Sequence, residues 1–265
     1  MTALAPEAWP VGAAVTVGLL GLAVGSFLNV VILRLPEGRS LWRPASACPG
    51  CGTALAWHDN VPVLSFLALR GRCRTCGMAI SWQYPLVEIV TAAVFLLAWL
   101  ELGPTVDFVV AAVFLAALVA ITGIDIRHRI IPDVISLPGI LAGLVASLAT
   151  QRVFWLDSVL GILVGGGVFL AIVIGYGLVT GTEGMGLGDA KLGAMLGAFL
   201  GWKALLFALF VSILLGGTVA SALLATGGVG RKDPIPFGPF LAAGGLAALF
   251  WGEKVVEWYL SGFGR

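Results

Sequence analysis

The sequence predicts an all-α polytopic membrane protein with about eight transmembrane helices, and three observations carry that prediction. The first is composition: 59% of the 265 residues are hydrophobic and only 11% are charged. A soluble domain of this size carries about a quarter charged residues. The second is the length of the apolar runs. Crossing roughly 30 Å of hydrocarbon takes about 20 residues, and runs of that order lie at 11–33, 84–102, 106–124, 131–150, 156–180, 190–200, 204–225 and 237–260. The third is the placement of charge. With the N-terminus outside, the inner loops hold eleven of the 15 Lys and Arg residues: Arg34, Arg39, Arg43, Arg70, Arg72, Arg74, Arg127, Arg129, Lys191, Arg231 and Lys232. Arg152, Lys203, Lys254 and Arg265 are left outside, as the positive-inside rule requires.

The elements follow in order. The first run has its basic residues after it rather than before it, the reverse of a secretory signal, so it is expected to stay in the membrane. The sixth is short if it stops before Gly201-Trp-Lys203, and a re-entrant or tilted helix is the alternative there. Glycine, with 37 residues, falls often inside apolar runs, as in Gly161-Ile-Leu-Val-Gly165-Gly166-Gly167 and Gly193-Ala-Met-Leu-Gly197. Small residues at such spacings let membrane helices approach closely. The lipid bilayer is the expected surrounding, and no nucleic-acid partner is expected.

Residues 34–83 form the one sizeable soluble piece, on the cytoplasmic side between the first two spans. Fifty residues bury little core, so a staple is expected. Cys48-Pro-Gly-Cys51 and Cys73-Arg-Thr-Cys76 supply it: two CxxC pairs about 20 residues apart match a four-cysteine zinc ribbon. Gly50, Gly52 and Gly77 are expected to provide the backbone angles that such turns need. Two disulfides are the alternative, but they require an oxidising compartment. A closed four-thiolate site leaves no open coordination position, so this Zn2+ is structural. His58 lies between the pairs as a surface or packing residue.

Two short polar stretches interrupt the rest of the chain. One runs Asp125-Ile-Arg-His-Arg-Ile-Ile-Pro-Asp133; the other runs Gly184-Met-Gly-Leu-Gly188-Asp189-Ala-Lys191. A charge at the hydrocarbon edge costs several kcal/mol unless paired or hydrated, so its default reading is functional. Asp133 follows Pro132 and has a structural reason to be there, because an acidic residue suits a helix start. Asp125 closes an apolar run, where negative charge opposes the helix dipole; Arg127 or Arg129 are its candidate partners. Asp189 is either a helix cap or a reactive group, with glycines beside it that let a substrate backbone come close. The glycines do not make a phosphate loop, since they follow a membrane span and lack a Lys-Ser/Thr pair. Asp107 and Asp157, near outer ends of spans, are expected to be solvated.

Taken together, these motifs resemble the type IV prepilin peptidase / N-methyltransferase family, and more distantly presenilin-type aspartyl proteases with a Gly-x-Gly-Asp motif. The resemblance covers nearly the whole chain. It rests on Gly25-Ser-Phe-Leu-Asn29-Val-Val-Ile32 with Arg34-Leu-Pro36, the two CxxC pairs, Tyr84-Pro-Leu-Val-Glu88, Asp125 through Ile131-Pro-Asp133, Gly186-Leu-Gly-Asp189-Ala-Lys191 and Pro236-Phe-Gly-Pro-Phe240, in that order. It implies that Asp125 and Asp189 are the catalytic dyad of a membrane aspartyl endopeptidase, with 84–265 as its core and 1–33 as a separate first span. It implies that Cys48, Cys51, Cys73 and Cys76 are a metal set linked to a methyltransferase half. The implied substrates are prepilins or pseudopilins, cut after a glycine at the cytoplasmic face of a bacterial inner membrane. The new N-terminal residue would then be methylated from S-adenosyl-L-methionine. Glu88 is a candidate contact for that donor's cationic sulfonium or for the substrate amine; a packing partnership with Arg70 or Arg72 is its alternative. Asn29 has either a functional role or an interhelical hydrogen bond. The competing class is a proton-coupled transporter using Asp125 and Asp189 as relay groups, which would put them near mid-bilayer in two repeated halves.

Overall fold

The computed structural model describes residues 11–150, 152–180, 186–228, 230 and 235–263. Eight α-helices carry nearly all of it: α1 Val11–Arg34, α2 Leu64–Ala68, α3 Gln83–Leu102, α4 Val106–His128, α5 Asp133–Ala149, α6 Trp155–Thr180, α7 Leu187–Ala225 and α8 Gly238–Phe263. Among the described residues there is no strand, only two isolated β-bridges in the segment between α1 and α3. The all-α membrane class therefore holds. The count of about eight crossings is not established: α1, α3, α4, α6 and α7 are long and apolar enough to cross a bilayer.

Of the three runs that drop out of that set, the last, α8, carries Glu253, Lys254 and Glu257 within it, and the other two have a reason in helix geometry. The fourth run yields α5, of 17 residues, which rises only about 26 Å. The sixth and seventh runs join into α7, of 39 residues, across a kink at Gly201, whose φ of 72° and ψ of 164° lie outside the helical range. Only glycine adopts such angles without strain. The stretch before the kink, 187–200, rises about 21 Å, which accounts for its shortness in the sequence.

The chain divides into two compact units, Met1–Ala120 and Ile121–Arg265, with the division inside α4. In the first, α1 packs on α3. A methyl at Gly21 would lie 2.6 Å from the Ala92 Cα, and one at Gly25 would lie 2.6 Å from the Glu88 Cα. The two helices thus meet backbone to backbone where these glycines fall. Leu97 and Leu100 on α3 stay exposed, as do Leu19 and Leu20 on α1. Exposed leucines are the natural outer face of helices solvated by lipid.

In the second unit α7 is the centre, packed against α5, α6 and α8. Gly161 and Gly165 of α6 face Gly197 and Gly193 of α7, so closely that a methyl on any of them would meet the partner backbone or the Phe169 ring. Gly143 meets Ala198, and Gly252 meets Ala204. Close packing is therefore the role of these glycines, as small-residue spacing in membrane helices predicts. Gly167, in the same run, has nothing within 4 Å. Gly197→Ala is expected to cost about 1–3 kcal/mol through overpacking and to lower the melting temperature in detergent. Gly167→Ala should leave that temperature unchanged; equal effects would refute the packing assignment.

Polar groups at the α6 start are satisfied internally. Ser158 donates to the Ala198 carbonyl at 2.8 Å, and Trp202 Nε1 donates to Asp157 at 3.0 Å. Asp157 is therefore a tertiary hydrogen-bond acceptor rather than the solvated group the sequence suggested. The signal was invisible because Trp202 lies 45 positions away, just beyond the Gly201 kink.

Candidate active site

The four cysteines come together. Cys48, Cys51, Cys73 and Cys76 place their Sγ atoms within 4.8 Å of one another, and all four are free thiols. The arrangement is a repeated knuckle. In each, the first cysteine's carbonyl accepts from the glycine after the second cysteine, Gly52 at 2.8 Å and Gly77 at 2.9 Å. In each, the first cysteine's N–H donates five residues on, to Thr53 at 3.0 Å and Met78 at 2.8 Å. Gly52 and Gly77 have φ of 70° and 73°, so both occupy the left-handed region expected of them. Gly50 does not. Its requirement is space, because a methyl there would lie 2.6 Å from the Met78 sulfur.

The donor set suits one tetrahedral metal ion. Zinc–sulfur bonds of about 2.3 Å put tetrahedral sulfurs about 3.8 Å apart, and Cys48 and Cys76 are 3.7 Å apart. A disulfide needs about 2.05 Å. The thiols are unequal: Thr53, through its side chain and backbone, holds Cys51 down at about 6, while burial and the other three thiols push Cys76 up to about 11. His58 is outside this cluster and half exposed, beside Asp59 at 3.7 Å. Asp59 instead accepts a two-nitrogen contact from Arg74, at 2.9 and 2.7 Å, tying the turn at Trp57–Asn60 to the second knuckle. The Arg74 guanidinium holds the Asp59 carboxyl below its ordinary range. A depressed folded-state pKa means this tie is intact at neutral pH. It is lost only as pH falls below the usual carboxylate range.

Asp125 lies in the last turn of α4 and is only 5% exposed. Neither Arg127 nor Arg129 supplies its hydrogen bond; the backbone N–H of Gly238 does, at 2.8 Å. Gly238 opens α8, so this N–H is one of the donors a helix start leaves unpaired. Asp125 thus sits at the unfavourable end of its own helix and the favourable end of another. A side chain at 238 would have to displace the carboxylate, since a methyl there would lie 2.7 Å from Asp125 Oδ2. This contact was missed at the sequence level, where Pro236-Phe-Gly-Pro-Phe240 entered only as one of the motifs of the family resemblance.

Asp189 is in the first turn of α7 and half-buried. Gly186, rather than Asp189, is the cap residue of that helix. Asp189 lies within Coulombic range of Asp125, so the two carboxylates occupy one neighbourhood although 64 positions separate them. Residues 184 and 185 of the motif lie outside the described residues. Asp133 is the first residue of α5, as its proline suggested, and it also holds Lys191, at 2.6 and 2.8 Å.

In the first unit, Glu88 is 6% exposed and its Oε2 accepts from the Val63 N–H at 2.8 Å, with the Ser26 side chain also bonded to it. Its neighbours are neutral donors, so the alternative pairing with Arg70 or Arg72 is not what buries it. Val63 has a φ of 60°, a left-handed angle costly for a β-branched residue. Asn29, 2% exposed, donates to Gly25 and Tyr84 carbonyls at 3.3 and 3.1 Å and so bridges α1 and α3. Its Oδ1 is buried with no hydrogen-bond partner among the described residues.

The chain is similar to known proteins along most of its length. Residues 19–102 match the bacterial peptidase A24 N-terminal domain, and residues 112–221 match the type IV leader peptidase family. A prepilin leader peptidase/N-methyltransferase of Aeromonas hydrophila is 40% identical, over 92% of this chain and 93% of its own length. A protein of the same description from Pseudomonas aeruginosa is 38% identical, over 91% of both chains. The one from Myxococcus xanthus is 44% identical over 83% of this chain and 66% of its own. No solved structure matches the chain. With relatives this similar along almost its entire length, and the peptidase-family match spanning both aspartates, the chain belongs to the prepilin leader peptidase/N-methyltransferase family.

Proposed function

We propose that the protein removes the basic leader of a prepilin or pseudopilin after a glycine and then N-methylates the residue so exposed. Asp125 and Asp189 are the peptidase dyad, within the 84–265 portion of the chain. The observation that carries this reading is their convergence: two carboxylates from distant helix ends within Coulombic range, one of them buried. Two such groups resist simultaneous ionisation and share a proton across the working pH. The ionised member takes a proton from water as that water attacks the scissile carbonyl. The protonated member donates to the carbonyl oxygen and then protonates the departing amine. The Gly238 N–H fixes one oxygen of Asp125, leaving the other for this chemistry.

Both aspartates lie at helix ends; the Lys and Arg of the adjoining loops support a cytoplasmic face for them, and the family supports a bacterial inner membrane. Water is available there, and the substrate's basic leader would lie on the same side as the arginine-rich loop. Cys48, Cys51, Cys73 and Cys76 would hold Zn2+, which would fold the 34–83 segment and take no part in a step. S-adenosyl-L-methionine supplies the methyl group. Glu88 is the proposed contact for its sulfonium or for the substrate amine, because it is a buried carboxylate whose donors among the described residues are neutral.

The test is leader removal from a prepilin by the purified protein in detergent, followed by mass spectrometry of the new N-terminus. The expected product lacks the leader and gains one methyl group only when S-adenosyl-L-methionine is present. Gly238→Ala is expected to slow leader removal by on the order of 100-fold without affecting methylation of an already cleaved pilin. Full peptidase activity in that variant would overturn the requirement for close approach of residue 238 to the Asp125 carboxylate.

A further inference from the structure

The connector that leaves α4 after Asp125 returns to touch the helix that carries Asp189, and it does so on both sides of that residue. On one side, Gly188 lies against Ile131: a methyl at 188 would sit 3.0 Å from the Ile131 Cβ. On the other, Lys191 Nζ donates to both oxygens of Asp133, at 2.6 and 2.8 Å. Asp189 is held between these contacts on the first turn of α7. The connector has little slack. Arg129 ends α4 at a φ of 56°, its N–H bonded to the Asp125 carbonyl at 2.9 Å, and α5 begins at Asp133.

We propose that the Asp133–Lys191 ion pair is a positioning clamp that sets the placement of Asp189 against Asp125 for the peptidase reaction. The assignment rests on the dyad reading above. Both side chains are partly exposed, 55% for Asp133 and 33% for Lys191, and exposed ion pairs contribute little to stability. The two-oxygen geometry instead constrains position: it ties the first residue of α5 to α7 two residues past Asp189. Asp133 follows the Asp125 helix by a few residues, and Lys191 follows Asp189 by two. A shift of the pair therefore moves the carboxylates relative to each other. A misplacement of about 1 Å costs on the order of 100-fold in rate.

The experiment uses the full-length protein in detergent with a prepilin, and with a pilin already freed of its leader. Asp133→Asn and Lys191→Met are expected to lower kcat for leader removal by about 10- to 100-fold. KM should stay within about twofold, because the pair acts on the dyad rather than on uniform substrate binding. Lys191→Arg should restore most of the loss, since a guanidinium can meet both carboxylate oxygens. Methylation of the freed pilin should remain at the wild-type rate, showing that the variants are folded. Unchanged kcat in the single variants overturns the clamp, as does a KM effect alone, which would make the pair a substrate contact. Parallel loss of both activities also overturns it, because the pair would then hold the fold. Asp189→Asn is run alongside: full cleavage by that variant would sink the dyad itself, a result separate from any behaviour of the pair.

Discussion

Asp125→Asn and Asp189→Asn are each expected to abolish leader removal, with rates falling by at least about 1,000-fold. The expectation follows from role rather than contact. A single shared proton makes each carboxylate dependent on the other, so the double variant should be no slower than either single one. Asparagine is close in shape, and at position 125 its carbonyl can still accept from the Gly238 N–H. Stability should therefore change little, and the loss reports chemistry. The measurement is conversion of a prepilin by the purified variants, with methylation of a previously cleaved pilin as the internal control. Methylation should survive, because Glu88 and the cysteines belong to the first unit and both aspartates to the second. Cleavage by either variant at the wild-type rate would remove the dyad from the mechanism. A transporter using the same two groups as relays would show no leader removal even as wild type.

Removing one thiolate from the cysteine cluster is the other large effect. The wild-type protein should carry close to one zinc ion per chain by elemental analysis, and Cys48→Ser should carry little. Structural zinc binding contributes about 10–16 kcal/mol of apparent folding free energy in small modules. The segment 35–82 has few alternatives: it is built from two knuckles, a single 3-10 turn and the five residues of α2. Methyl transfer by Cys48→Ser is expected to fall about tenfold or more, while leader removal stays within a few-fold of wild type. Chelator treatment of the wild type should reproduce the pattern. A wild-type protein without near-stoichiometric zinc would rule the metal assignment out, whatever its activity.

Legibility in the sequence tracked how local each feature is. The cysteine cluster was readable because a CxxC turn is a local object, and the spacing alone implied that two of them meet. Gly52 and Gly77 were readable for the same reason, but Gly50 was not. Its constraint comes from Met78, which reaches it only once the knuckles are stacked. The helices of the membrane class were readable from apolar length. Their number was not, since a glycine at 201 can end a helix or bend one, and α5 falls short of a full crossing.

Chemistry-bearing residues show the same divide. Sequence marked Asp125 as a charge in the wrong place relative to its own helix. Its compensation is the first N–H of α8, 113 positions away. Asp133 was correctly taken for a helix-start residue, but its bond to Lys191 spans 58 positions and two helices. Glu88 was marked as a candidate contact for the methyl donor or the substrate amine, with Arg70 or Arg72 as alternative partners. Its partners, Val63 and Ser26, come from the loop and from α1 rather than from the arginines nearest in kind.

By itself, then, the sequence determined that this chain lives in a bilayer, that four thiols meet, and that two aspartates stand at helix ends. Hydropathy, turn spacing and the cost of a misplaced charge act over a few residues and need no fold to be felt. Only the tertiary structure decided which helix end answers Asp125, which glycines are contacts and which are open, and what holds α7 beside Asp189. Those are pairings between helices, and with apolar lipid as solvent they are selected by close backbone approach and by the few polar groups able to bond across it.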